Sequence, residues 1–79
     1  MSDEIPVSQV IDATGQPCPL PLLKAKQGLK SLAKGDVLKV IATDPGSVRD
    51  FKVFAELSGN RLLYSAEQDQ CFVYLLEKA

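Results

Sequence analysis

Two stretches of helical periodicity, each set between short runs rich in β-branched residues, constrain this chain more than any other feature. In the first, Leu22, Ala25, Leu29 and Leu32 recur at steps of three, four and three, which places them on one face of a helix predicted over Pro19–Ala33. Lys26, Lys30 and Lys34 form a separate basic stripe at i, i+4, which reads first as a solvated face and second as steering for an acidic partner. Gly28 weakens it by about 1 kcal/mol relative to alanine, and Gly35 marks its stop. The second helix opens at Asp44-Pro45-Gly46-Ser47, with Asp44 or Ser47 as its N-cap. Val48, Phe51, Phe54 or Ala55, and Ser58 make its inner face, and Gly59-Asn60 ends it. Strand character falls on Val7–Asp12, Asp36–Thr43, Arg61–Ala66 and Gln70–Glu77. A polar turn, Glu67-Gln68-Asp69, separates the last two strands by hairpin length.

The predicted order is therefore β-α-β-α-β-β in 79 residues. It implies an α+β fold and a single domain over 1–79, a two-layer sandwich of a four-stranded mixed sheet with both helices on one face. Right-handed crossovers make the first three strands parallel, and the hairpin makes the fourth antiparallel to the third. The ends of strands 1, 2 and 3 then share one rim with the starts of both helices. Cys18, Asp44 to Ser47 and Cys71 meet on that rim.

Composition removes several function classes. Nine basic and ten acidic residues give a formal charge of −1, no excess for gripping a nucleic-acid backbone. No apolar run approaches the ~18 residues of a membrane span. The acidic start, Ser2-Asp3-Glu4, is unlike a signal peptide, so a cytoplasmic location with reduced thiols is expected. No histidine and only two cysteines are present, so one chain cannot build a Cys/His zinc site or a Cys–His or Ser–His catalytic pair. Neither metal nor cofactor is expected. A core this small, burying about 62% of the chain's surface by size scaling, leaves little room for an enclosed active site. Chemistry belongs at the surface, completed by a partner.

The feature that answers this description is Gly15-Gln16-Pro17-Cys18-Pro19-Leu20-Pro21, where strand 1 passes into helix 1. Proline suits the first helical position, which makes Pro19 N1, Cys18 the N-cap and Pro21 N3. Pro21 removes one amide of the first turn, leaving Leu20 N–H as the expected donor to the sulfur. A helix N-terminus stabilises an anion by about 0.3–1 kcal/mol, which lowers a thiol's pKa modestly. A persulfide on the same atom is intrinsically more acidic and would be anionic at neutral pH. A lone cysteine is commonly just a small buried hydrophobe. One flanked by prolines in an exposed turn has no packing rationale, and the residues favour a surface nucleophile.

At these residues the sequence resembles the TusA/SirA-like sulfur-carrier family, whose Cys-Pro-X-Pro motif is matched by Cys18-Pro19-Leu20-Pro21. Asp12-Ala13-Thr14-Gly15, Leu22-Leu23-Lys24-Ala25-Lys26, Gly35-Asp36 and Asp44-Pro45 fit the same pattern, and the likeness runs from about Val10 to Lys78. The resemblance implies strand order 1-2-4-3 with strand 4 antiparallel to the rest. It also implies sulfur relay, with Cys18 accepting sulfane sulfur as a persulfide and passing it on. The implied donors are a cysteine desulfurase or a rhodanese. The implied acceptors are DsrE-type proteins of tRNA thiolation, molybdenum-cofactor enzymes or sulfur-oxidation machinery.

Other residues carry weaker signals. Cys71 alternates with Val73 and Leu75 on the last strand and reads first as a half-buried core residue, second as an accessory thiol. Asp44, Arg49 and Asp50 at the start of helix 2 read as capping and surface charge, or as partner recognition beside Cys18. Phe72, Tyr74 and Leu76 oppose Cys71, Val73 and Leu75, so both faces of the last strand are apolar. With helices on one face only, either the register bends or an apolar patch is exposed for a second copy or another partner. The competing functional reading is a non-catalytic adaptor that binds proteins through the rim. A thiol-disulfide oxidoreductase is disfavoured because no Cys-X-X-Cys is present.

Overall fold

A computed structural model describes residues 6–17 and 19–79. The elements run β1 (Gln9–Ala13), α1 (Leu20–Lys30), β2 (Val37–Ala42), α2 (Ser47–Ser58), β3 (Arg61–Gln68) and β4 (Cys71–Glu77). The sheet has the order β1-β2-β4-β3. β1 pairs with β2 in parallel, while β4 runs antiparallel to both β2 and β3. Both the α+β architecture and the strand order match the expectation.

Alternation along the strands builds the core. Leu38, Val40 and Ala42 of β2 and Tyr74 and Leu76 of β4 are fully buried on one sheet face. Ala25 and Leu29 of α1 and Phe51 of α2 pack into the same cluster. Removing such apolar surface from water contributes about 25 cal/mol per Å². Phe51 stacks on Tyr74 with ring centroids 4.4 Å apart and planes 15° from parallel. Above that pair, the Ser47 hydroxyl bonds the Tyr74 hydroxyl at 2.7 Å. That bond satisfies two polar groups whose burial would otherwise be costly.

Gly28 has a role beyond weakening its helix. A Cβ at that position would lie 2.7 Å from Ile11 Cδ1 and 3.3 Å from Leu38 Cδ1. The missing side chain is what lets α1 lie close against β1 and β2.

Several boundaries differ from expectation, each for a local reason. α1 begins at Leu20, one residue late, with Pro19 as its N-cap at φ −102° and ψ 21°. Pro21 is accordingly N2, not N3, and it is buried. The helix stops at Lys30 because Ser31 bonds back to the Gly28 carbonyl through both its amide and its hydroxyl. For α2 neither Asp44 nor Ser47 is the N-cap: Gly46 is, and Ser47 is the first buried helical residue. Its inner face is therefore Ser47, Phe51 and the half-buried Phe54 and Ala55, while Val48 and Ser58 are exposed. The hairpin turn is Asp69-Gln70, with φ of 49° and 66°. Paired positive φ values are those of a tight two-residue turn matched to strand twist, so β3 extends to Gln68.

Candidate functional site

The β1–α1 loop lies where β1 and β2 end together, Ala13 being the register partner of Ala42. Asp12 organises its first half. One carboxylate oxygen, Oδ1, accepts from the Thr14 amide at 3.0 Å and the Thr14 hydroxyl at 2.7 Å. These two bonds, with a smaller contribution from the Lys24 charge, hold the Asp12 carboxyl below its ordinary range. Gly15 follows with φ 78°, a left-handed value that suits glycine. Its amide donates to Thr43 Oγ1 at 2.8 Å, tying this loop to the β2–α2 loop. Gln16 N–H reaches back to the Ala13 carbonyl at 3.3 Å.

Cys18 itself lies outside the described residues, and its neighbours define the setting. Pro17 and Pro19 are exposed. Leu20, at N1, is 42% exposed. The expected bond from the Leu20 amide to the Cys18 sulfur lies outside the described residues; the Leu20 amide donates to the Pro17 carbonyl at 2.9 Å. Pro21 has no N–H and sits fully buried, anchoring the helix start in the core. The first turn of α1 contains no acidic residue, so no carboxylate competes for its positive end.

Asp44 and the Arg49–Asp50 pair have different surroundings. Asp44 is half-buried, and its carboxylate accepts from Gly46 N–H at 3.0 Å, as a structural turn residue. Arg49 and Asp50 instead line an open groove of about 650 Å³ between the two helices, with Leu22, Lys26, Phe54 and Leu57. Lys26 Nζ stands 5.6 Å from the centre of the Phe54 ring, so it belongs to this groove and not merely to a solvated stripe. Leu57 is 83% exposed at the groove's edge.

Cys71 is half-buried at the head of β4, paired with Gln68 and one residue before Phe72, the partner of Ala42. It is thus on the expected rim but not in the core. The helix-covered face of β4 carries Tyr74 and Leu76, whereas Cys71 shares the opposite face with Val73 and Leu75. That open face continues through Ile41 beside Val73 and through Lys39 and the 41%-exposed Tyr64 beside Leu75. β4 pairs with β2 in unbroken register, whereas its pairing with β3 shifts between Leu62 and Tyr64; both expected features are therefore present, a local bend at β3 and a half-exposed apolar back face.

Reasoning from the residues missed two contacts. The Gly15–Thr43 bond spans 28 positions and has no spacing signature. The Asp12–Thr14 turn was findable, because aspartate two residues before a threonine at a strand end commonly bonds locally.

Comparison with known proteins completes the picture. A family model described as Sulfurtransferase TusA matches residues 9–78. The chain belongs to the TusA family. It is 51% identical over 71 residues to the sulfur carrier protein TusA of Allochromatium vinosum, covering 90% of this chain and 93% of that one. It is 44% identical over 70 residues to a putative sulfur carrier protein of Neisseria meningitidis, covering 89% and 95%. A crystal structure of a SirA-like protein from Desulfitobacterium hafniense superposes with a TM-score of 0.79 at 30% identity, covering 87% of this chain and 95% of that one. Members of this TusA family are sulfur-relay carriers, and among the described residues no helix is long and apolar enough to cross a membrane.

Proposed function

We propose that this chain relays sulfane sulfur as a persulfide on Cys18, taking it from a donor enzyme and giving it to an acceptor protein. The supporting observation is the setting of Cys18 at the β1–α1 junction. It stands between two exposed prolines, at the mouth of a helix whose first turn bears no carboxylate and whose start is fixed by buried Pro21. Such a setting favours an anionic sulfur and leaves it open to another protein.

The chemistry is thiolate exchange. Cys18 thiolate attacks the outer sulfur of a donor persulfide. The donor's S–S bond breaks, the donor cysteine leaves as a thiolate, and Cys18 becomes the persulfide. In the second half, an acceptor thiolate attacks that outer sulfur and Cys18 leaves as a thiolate. Each step forms one S–S bond and breaks one, so no external oxidant or reductant is consumed and no cofactor is required. A cysteine desulfurase or a rhodanese has the right chemistry as donor, and a DsrE-type protein as acceptor. A reducing compartment such as the cytoplasm keeps Cys18 available.

The groove between α1 and α2 suits the docking step. Its apolar residues Leu22, Phe54 and Leu57 lie beside two cations, Lys26 and Arg49, against one carboxylate, Asp50, a pattern that fits an acidic partner surface with apolar anchors. Association with the donor is then expected to weaken with added salt. Incubation with a cysteine desulfurase and cysteine, followed by peptide mass spectrometry, tests the reading. The Cys18 peptide should gain the mass of one sulfur atom, and Cys18→Ser should gain none. An unmodified wild-type chain refutes it.

A further inference from the structure

We propose that the back of the sheet is a two-fold interface with a second copy of this chain, in which Lys39 of each copy meets Asp12 of the other. The register fixes what this face carries. Ile41 sits between Asp12 on β1 and Val73 on β4. One row along, Lys39 sits between Val10 and Leu75. Ala66 and Tyr64 continue these two rows onto β3. Ile41, Val73 and Leu75 are half-buried, while Val10 is 57% and Tyr64 41% exposed, because the helices cover only the other face. Lys39 is half-buried among these apolar side chains, with no hydrogen bond or ion pair to it among the described residues. Asp12 uses only Oδ1 for its two bonds from Thr14, and Oδ2 accepts no hydrogen bond among the described residues.

Covering such a face requires a carboxylate for Lys39, because burying a cation unpaired is costly. That requirement selects both the occupant and the axis. Sheets pack face to face with their strands within about 30° of alignment. A two-fold axis crossing the strands at right angles, between the Lys39 and Ile41 rows, lays each strand over its own counterpart. Lys39 then stands over the second copy's Ile41 and beside that copy's Asp12, and the contact repeats in reverse. Leu75 and Tyr64 stand over the second copy's Val73 and Ala66, so apolar meets apolar in the same arrangement. An axis parallel to the strands, between β2 and β4, would instead set Lys39 over Leu75 and leave it unpaired.

Sedimentation velocity on the intact chain, with reductant present and from micromolar to millimolar concentration, reads this association. Wild type should pass from monomer to dimer. Lys39→Glu faces Asp12 with a second carboxylate and should raise Kd roughly 10-fold or more, since the two-fold axis repeats the lost pair. Asp12→Lys should do the same by setting two cations together. Mixed in equal amounts, the two variants should form a heterodimer, because both crossed pairs then join opposite charges. Tyr64→Lys changes an exposed position and should also raise Kd, which keeps the test decisive if circular dichroism shows Asp12→Lys misfolded. Leu57→Lys, in the groove between the helices, should leave Kd unchanged. A wild type that stays monomeric at every concentration overturns the inference. So does an unchanged Kd for Lys39→Glu or Tyr64→Lys, a pair of folded charge variants that do not associate on mixing, or a dimer lost in Leu57→Lys. None of these readouts involves sulfur, so the inference stands or falls independently of the relay reading.

Discussion

The hydroxyl of Tyr74 lies 2.7 Å from the hydroxyl of Ser47, and both side chains are buried where α2 begins. The pair joins the central strand β4 to the first residue of α2, so the helix that lines the groove is registered on the sheet by one buried hydrogen bond. Tyr74→Phe leaves the Ser47 hydroxyl buried without that partner. The expected loss is about 1–3 kcal/mol, the desolvation penalty of an unpaired polar group. Ser47→Ala should destabilise for the same reason. The double variant should lose less than the sum of the two, because neither orphan remains. Urea denaturation of the four proteins measures this; strict additivity would mean that the bond is not coupled.

The same tyrosine sets a limit at alkaline pH. Burial pushes its phenol above the ordinary value of 10.0, and the bond from Ser47 only partly opposes this. The neutral phenol is the form the fold favours. Its contribution to stability is complete below the ordinary value of 10.0 and is lost as pH rises through the higher folded value. Wild type should therefore lose stability above that ordinary value more steeply than Tyr74→Phe. Denaturation midpoints taken across this range check the difference, and parallel curves would contradict it.

The close approach of α1 to the sheet makes a third prediction. An alanine at Gly28 would press its Cβ on Ile11 Cδ1 at 2.7 Å, a flexible side-chain tip that can swing aside. Valine adds branches beside buried Leu38, which has less freedom. Gly28→Val should destabilise by about 1–3 kcal/mol through overpacking. The helix-propensity gain over glycine, below about 1 kcal/mol, does not offset it. A thermal midpoint equal to or above wild type would show that the helix can move away without loss.

Much of this fold was legible because alternation and helical periodicity report burial directly. Leu38, Val40 and Ala42 were placed together, as were Ala25 and Leu29, and they form the core. The helix starts were less legible. Proline at N1 is a strong preference, yet here Pro19 caps the helix and Leu20 is its first residue. Ser47 read as a cap because serine often is one. Its burial depends on Tyr74, which is 27 positions away in the chain. The hairpin shifted because Asp69 and Gln70 adopt positive φ without a glycine to announce it. The motif around Cys18 was legible as chemistry because its residue types are improbable for packing. The anchoring of its loop was not, because a threonine hydroxyl at a strand end carries no sign of which distant amide it will meet.

The most direct measurement follows isotopically labelled sulfur from cysteine, through a desulfurase and this chain, to an acceptor thiol. With wild type, label should appear first on Cys18 and then on the acceptor. With Cys18→Ser, folded as wild type by circular dichroism, the acceptor should stay at the background seen without the chain. Equal transfer by Cys18→Ser and wild type would contradict the account.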